Sequence, residues 1–407
     1  MIRSCFLWFK HLVYAMAVLA LVACLAEVAL RVYDSATAQV TRCELYDRGL
    51  VCKSWFVHHS LKPSHNFSVK GPDTGERIRV SVNSLGLRGP EPAIPKPAGT
   101  YRILCLGDDS TFAQGVTEGE TFCAVLQAEL AGKSPAAAIE VINAGVPDYC
   151  PLLSYLQYRH ELLSLQADLV ILNFDMSGVA DDYALRRHAV MSAAGVPLSC
   201  AHPGLELPRA ARQRGSDGAL LAPQFARQKF NAILAERTLG EKSRSIDSPH
   251  CRYLWLEDQP PDWSIHISQA LSPLAPLAEL ARGSGARLVV AACPAPWQVS
   301  ASASNGEGVR EQAGVPPDAL FRSRRPFETI GDFCQSLGIR FCDVSVAFVQ
   351  AEQPDRLYLK HAAAFSADGH VLYAHRLAEF VRRELTSPRP SGTEYLPLAP
   401  QARLLER

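Results

Sequence analysis

The sequence predicts an α/β domain built on a parallel sheet with helices on both faces. Three observations carry that reading. Short apolar runs recur at residues 102–106, 139–142, 169–174, 286–292 and 339–344. Segments of helical period separate them, at residues 121–130, 152–165, 272–281, 327–337 and 371–385. Strand and helix alternating in this way build parallel crossovers. The composition is globular, with 48% hydrophobic and 20% charged residues in a chain of 407.

Each element has its own justification. The run at 169–174 is almost continuously apolar, as expected of a strand buried on both faces. The segment at 272–281 opens on Ser272, a capping residue type, and Pro273, which suits a first helical turn. The segment at 371–385 is an amphipathic final helix. Before the first strand, residues 35–100 lack strong periodicity and read as an extended lead-in, with Pro90, Pro92, Pro95 and Pro97 marking the approach. The domain proper is assigned to residues 101–385. Residues from about 176 to 265 break its rhythm and read as an insertion, a lid or excursion rather than a second core. A flexible Pro-rich tail follows at 386–407, with Pro388, Pro390, Pro397 and Pro400.

Residues 1–34 form a membrane anchor or signal segment. No charged residue lies between Leu12 and Ala26; Glu27 interrupts, and residues 28–30 continue the apolar run. As a helix at 1.5 Å per residue, residues 12–30 span roughly 28 Å, close to the hydrocarbon thickness of a bilayer. Arg3 and Lys10 precede the run, which keeps the N-terminus cytoplasmic and places the rest across the membrane. A single-pass anchor is the first reading. A cleaved secretory signal, or a lipoprotein whose Leu21-Val22-Ala23-Cys24 acts as a lipobox with Cys24 lipidated, are the others. All three put the main domain outside the cytoplasm.

Composition narrows the partners. Lys plus Arg and Asp plus Glu are both 41, so no basic excess exists to neutralise phosphates, and a nucleic-acid partner is not expected. Among the twelve cysteines, Cys43 with Cys52 and Cys334 with Cys342 are spaced for local disulfides. The alternative is buried free thiols, the expectation for Cys105. No cysteine–histidine pattern has zinc spacing, so neither metal nor cofactor is expected.

Ligands of parallel sheets bind beyond the carboxyl ends of the strands. The residues there are Gly107-Asp108-Asp109-Ser110-Thr111-Phe112 after the first strand and Asn143-Ala144-Gly145-Val146-Pro147-Asp148-Tyr149 after the second. Asn173-Phe174-Asp175-Met176-Ser177-Gly178 follows the third, and Phe365-Ser366-Ala367-Asp368-Gly369-His370 precedes the last helix. In order and placement these blocks resemble the SGNH/GDSL hydrolase family. Asn83-Ser84-Leu85-Gly86-Leu87-Arg88-Gly89 is similar to the lead-in of its membrane-anchored members. The resemblance covers residues 80–385 without the insertion. It implies a three-layer, flavodoxin-like SGNH-hydrolase fold and acyl-ester hydrolysis or transfer on O-acylated carbohydrates or lipids of the cell envelope.

In that family the first block carries a nucleophilic Ser, the second a Gly and the third an Asn for the oxyanion hole, and the last an Asp and a His. This chain departs from the pattern in every block. Asp109 stands at the nucleophile position, with Ser110 one residue late. Asp148 stands at the Gly position, with Gly145 nearby, and Ser177 at the Asn position. Asp108 matches the family's turn-bracing acid.

The last block has two registers. If Gly369 is the family's helix-opening Gly, the His aligns with Ala364 and the Asp with His361. If Asp368 and His370 are themselves the Asp–His pair, the machinery is partly kept, with His370 as base and Asp368 as its orienter. The nucleophile would then be Ser110 or Asp109, with Gly145 and Ser177 at the oxyanion. His375 reads as a helix-surface decoy. A carboxylate at Asp109 opposes a developing oxyanion, and Asp148 adds to that repulsion. Three functions follow: a surface hydrolase or acyltransferase, a catalytically dead module that binds a glycan or partner, or a tethered subunit of a polysaccharide assembly.

Two further signals have plainer readings. Asp181-Asp182 with Arg186-Arg187 reads as a solvated, salt-bridged helix end. Trp255, Trp263 and Trp297 are candidates for a sugar cleft or, more simply, for the core.

Overall fold

The computed structural model describes residues 49–131, 138–205 and 252–386, together with 8–29 apart from 9, 12 and 19. The chain divides into two units, residues 1–50 with 203–244, and residues 51–202 with 245–407. In the first, the described positions between 8 and 29 are helical, and Cys24 is an exposed free thiol. Among the described residues, no helix is long and apolar enough to cross a membrane. About half of the expected insertion, residues 206–251, and nearly all of the expected tail lie outside the described residues.

The second unit begins with two hairpins where the sequence reads as a featureless lead-in. β1 (Val51–Lys53) pairs antiparallel with β2 (His59–Leu61), and β3 (His65–Lys70) with β4 (Arg77–Val82). In β3 and β4, exposed and more buried residues alternate, the pattern of a sheet wet on one side. β1 and β2 are three residues each, too short for periodicity to report, whereas Arg77-Ile78-Arg79-Val80-Ser81-Val82 carries a strand alternation that the lead-in reading overlooks.

The core follows as β5 (Thr100–Leu106), α1 (Asp109–Phe112), α2 (Phe122–Leu130), β6 (Ala138–Asn143), α3 (Pro151–Gln157) and β7 (Leu169–Asp175). The described part of the insertion forms α4 (Gly178–Arg186) and a small hairpin, β8 (Ala189–Met191) with β9 (Pro197–Cys200). Then come α5 (Ser264–Leu271), α6 (Leu274–Gly283), β10 (Arg287–Cys293), α7 (Arg325–Ser336), β11 (Arg340–Asp343) and α8 (Ala367–Thr386).

All five expected core strands form, in one parallel sheet ordered β11-β10-β7-β5-β6. Counted in chain order these five run 2-1-3-4-5, the flavodoxin-like order. In β7, Leu169, Val170, Ile171, Leu172 and Phe174 are all buried. Each such side chain contributes roughly 1.5–3 kcal/mol by leaving water. On one face, α2 and α8 meet through Phe122, Leu126, Tyr373 and Leu377, with the Phe122 and Tyr373 rings 4.9 Å apart.

Three local expectations change. The segment at 152–165 is helical throughout, but only α3 is regular; a π-helical turn and a tighter turn complete it. Ser272 does not cap the following helix, because α5 runs up to it and its hydroxyl donates back to the Gln269 carbonyl at 2.7 Å. Cys334 and Cys342 are buried free thiols and Cys52 is also unbridged, so the plainer reading of the cysteines holds there.

Candidate functional site

The carboxyl ends of β5 and β7 meet at the centre of the sheet, where the strand order reverses. A crevice opens at such a point in any doubly wound sheet. Asp108 ends the turn after β5 and caps α1, its Oδ1 accepting the Ser110 N–H at 3.3 Å. That is the bracing role read from the sequence. The Ser110 hydroxyl donates to Asp175 Oδ2 at 2.6 Å, across to the end of β7. Asp175 Oδ1 accepts the Ser177 N–H at 3.2 Å, and the Ser177 hydroxyl leans on Asp108 Oδ2 at 3.4 Å.

Two more acids and one cation complete the cluster. Arg252, at the end of the insertion, grips Asp181 of α4 through both carboxylate oxygens, at 2.8 and 2.9 Å, and lies 3.8 Å from Asp148. Asp108, Asp109, Asp148, Asp175 and Asp181 therefore interact around a single guanidinium. Burial, then the charges of Asp175 and Asp109, hold Asp108 well above the usual carboxylate range. Asp109 is the solvent-exposed member. Loss of hydration, then the Asp148 charge, raises its pKa too, though water at its surface screens part of that rise. Burial raises Asp181 and Arg252 counters it; Asp181 in turn holds Arg252 firmly in its charged form.

The second block supports the turn rather than an oxyanion. A Cβ on Gly145 would fall 2.3 Å from the Phe112 nitrogen and 2.6 Å from the Thr111 carbonyl carbon. Its own N–H donates to Asn143 Oδ1 at 3.0 Å, and Asn143 Nδ2 donates to the Thr111 carbonyl at 2.7 Å. Gly145 is thus the close-approach residue against α1, and its N–H is already used. Gly145→Ala is expected to destabilise the protein by about 3 kcal/mol, the upper range for overpacking. Urea unfolding that left the midpoint unchanged would overturn this. Asp148 has a left-handed backbone, φ +61°, at the position where the family carries Gly. Aspartate is among the few side chains that tolerate that conformation.

The expected Asp368–His370 pair does not form. Both residues lie in α8. Two residues apart on a helix means about 200° apart around its axis, so they cannot face one another. Asp368 is solvent-exposed. The His370 ring is buried, stacked on Phe122 and edge-on to Phe365, and its Nδ1 has no hydrogen-bond partner. Burial, and then the nearby Arg88 charge, push its pKa down to about 3.

Gly369 instead behaves as the helix-opening glycine of the other register, since a Cβ there would fall 2.0 Å from the Leu357 carbonyl oxygen. In that register the acid position is His361, whose Nδ1 lies 3.0 Å from Asp73 Oδ1, and the base position is Ala364. No imidazole hydrogen-bonds Ser110 or Asp109 among the described residues.

The salt bridge expected of Asp182 forms, the core reading of the tryptophans holds, and two further residues join the site. Asp182 is not solvated but 1% exposed, held by Arg186 at 2.6 and 3.0 Å. Trp255, Trp263 and Trp297 are all buried, and the Trp255 indole donates to the Met176 carbonyl at 2.9 Å, beneath Ser177. Asp175 was visible in the third block, yet only its placement opposite Ser110 marks it. Arg252 has no sequence signal at all: it is one arginine among many in an aperiodic stretch.

No family model and no curated protein matches the chain. Among solved structures it is similar to a lipase/acylhydrolase from Enterococcus faecalis, at 11% identity and TM-score 0.38, over 70% of this chain and 96% of that one. It is likewise similar to the esterase EstA from Pseudoalteromonas sp., at 11% identity and TM-score 0.37, over 70% and 99%. The third is a putative lipolytic protein of the G-D-S-L family from Desulfitobacterium hafniense, at 13% identity and TM-score 0.35, over 68% and 98%. The flavodoxin-like fold rests on the strand order described above, and lipases and acylhydrolases of the GDSL type are among the solved structures that this chain resembles.

Proposed function

We propose that the chain is a non-hydrolysing, ligand-binding module of the cell envelope, built on an acyl-hydrolase-like α/β scaffold and tethered by its N-terminal apolar segment. One observation carries this: the Ser110 hydroxyl is bonded to a carboxylate, Asp175, and no imidazole reaches it among the described residues. Serine needs a base to become a nucleophile, and histidine fills that role because it titrates near neutrality. A carboxylate is the weaker base. A tetrahedral oxyanion forming beside these acids would also face like charge from each one that is ionised, while burial holds Asp108 toward its neutral form. At about 4 Å and an effective dielectric constant of about 20, each such pair costs about 4 kcal/mol. The two candidate oxyanion donors, Gly145 and Ser177, already donate to Asn143, Asp175 and Asp108. The same groups suit recognition. Asp109 and Asp148 accept hydroxyl donors at the mouth of the crevice, and Arg252 donates beside them.

A second reading rests on the 2.6 Å Ser110–Asp175 bond as an acyl-transfer dyad. The two separate in one experiment on the full chain in detergent, with p-nitrophenyl acetate and an acetylated xylan oligosaccharide. We expect no turnover in wild type and no gain in Asp109→Ser, because that change restores a hydroxyl but no imidazole. Turnover in wild type that disappears in Ser110→Ala would establish the dyad and end the binding-module reading.

A further inference from the structure

The loop that would carry a hydrolase's acid and base, residues 357–368, is built into a different structure. Asp73, in the turn between β3 and β4, accepts the backbone N–H groups of Lys360 and His361 at 2.7 and 2.9 Å, and lies 3.0 Å from His361 Nδ1. Those bonds outweigh its partial burial and keep its pKa low. Ser304 donates to the carbonyls of Leu359 and Ala362 at 3.0 and 2.9 Å, and Ser366 to that of Arg356 at 2.6 Å. These three polar side chains are spent on holding the loop. Beside it lies a cavity of about 580 Å³, within the range of small-molecule sites.

Four other side chains line that cavity and are uncommitted: Asn305, Asp355, Lys360 and Asp368 engage no side-chain partner among the described residues. They supply two carboxylate acceptors, one ammonium donor and an amide that does both. Asp73 also lines the cavity, but both of its carboxylate oxygens are already taken by the Lys360 and His361 N–H groups; the charges left to a ligand, with Arg356 on the same wall, are two positive and two negative. An anion meets Asp355 and Asp368 there, and a cation meets Lys360 and Arg356. A neutral ligand whose groups each donate and accept satisfies both kinds of wall at once, and the hydroxyl is that group. We infer that this cavity, between the β3–β4 turn and the loop leading into α8, binds a neutral saccharide. The site is separate from the Asp109 crevice and does not depend on what that crevice binds.

The test is ligand-observed saturation-transfer NMR on the full chain in detergent. The probes are xylotetraose, chitotetraose and mannotetraose, with tetragalacturonate as the charged comparison. All four lining residues are exposed, so Asn305→Ala and Asp368→Ala leave the fold intact. We expect at least one neutral probe to bind, with affinity reduced at least tenfold in Asn305→Ala with Asp368→Ala, and the charged probe to bind more weakly. Loss in these variants but not in Asp109→Ala supports the cavity and counts against saccharide binding in the crevice. Loss only in Asp109→Ala overturns the cavity and leaves the crevice reading standing. No binding of any neutral probe, or preference for tetragalacturonate, overturns the inference.

Discussion

Arg88→Ala is expected to destabilise the protein by about 3 kcal/mol or more, among the largest effects of any single change outside the sheet. Arg88 is 3% exposed, and its guanidinium donates to the carbonyls of Phe112, Ala113 and, at 2.8 Å, Val116. Those carbonyls lie at the end of α1, a helix of four residues with little stability of its own, and just beyond it. Truncation leaves the buried Phe112 and Val116 carbonyls without a donor and Ala113 with only the Val116 N–H at 3.3 Å, and an unsatisfied buried acceptor costs about 1–3 kcal/mol. Burial lowers the Arg88 pKa to about 10, which still leaves the group charged at neutral pH. Arg88→Lys should recover only part of the loss, because an ammonium cannot span three carbonyls as a planar fork does. Urea unfolding of the full chain, followed by tryptophan fluorescence, measures both. A loss below about 1 kcal/mol in Arg88→Ala would remove Arg88 as the clamp of the turn.

The Arg88 clamp also explains what was legible in the sequence and what was not. The central strands β5, β7 and β10 were readable because each buries a nearly continuous apolar run, and the helices because each carries an apolar stripe of helical period. The β1–β2 hairpin and the segment around Arg88 were not, because what ties them to the core is a few single long-range bonds. His59 Nε2 meets the Pro147 carbonyl at 2.8 Å, the Tyr149 hydroxyl donates to the His59 carbonyl at 2.6 Å, and Arg88 reaches past Phe112. None of these has a period.

The candidate site divides in the same way. Asp108, Asp109, Ser110, Asp148 and Ser177 were found from their positions after strands. Asp175, Asp181 and Arg252 join them only through tertiary placement. Of the two registers for the last block, the structure takes the one with Gly369 as the helix-opening residue, and the last helix begins at Ala367, four residues before the expected 371. Once Asp368 and His370 both fall inside the last helix, their spacing of two forbids a shared face.

A pH effect of opposite sign to that of the acidic site is expected from the histidines of the same lead-in. His58 is ringed by His59, His188 and His202, with ring centroids 5.1, 6.1 and 4.5 Å away. Burial, and then the charges of His59, His202 and His188, lower His58 to about 3. Burial, and then Lys53, His59 and His188, lower His202 to about 4. His59 is lowered by burial, against the pull of the Pro147 carbonyl and of Asp148. Cys200, bonded through its backbone to this loop, is pushed up to about 12 and stays a neutral thiol.

A folded-state pKa below the free value means that the unfolded chain binds more protons. Stability therefore falls as pH drops below about 6.5, and goes on falling toward the folded-state values. Asp108, Asp109 and Asp181 are raised and gain stability over the same interval, so the wild-type curve alone mixes two signs. His58→Asn isolates one of them. Between about pH 7 and pH 5, wild type should lose about 1–2 kcal/mol more than His58→Asn, after allowance for water reaching the His58 ring. The measurement is the difference between two urea titrations at each pH. Parallel curves would mean that the four imidazoles relax apart at no cost. A widening gap would place the acid-sensitive joint of the fold between the β1–β2 hairpin and the β8–β9 hairpin, where His59 is bonded to the carbonyl of Pro147, the residue before Asp148.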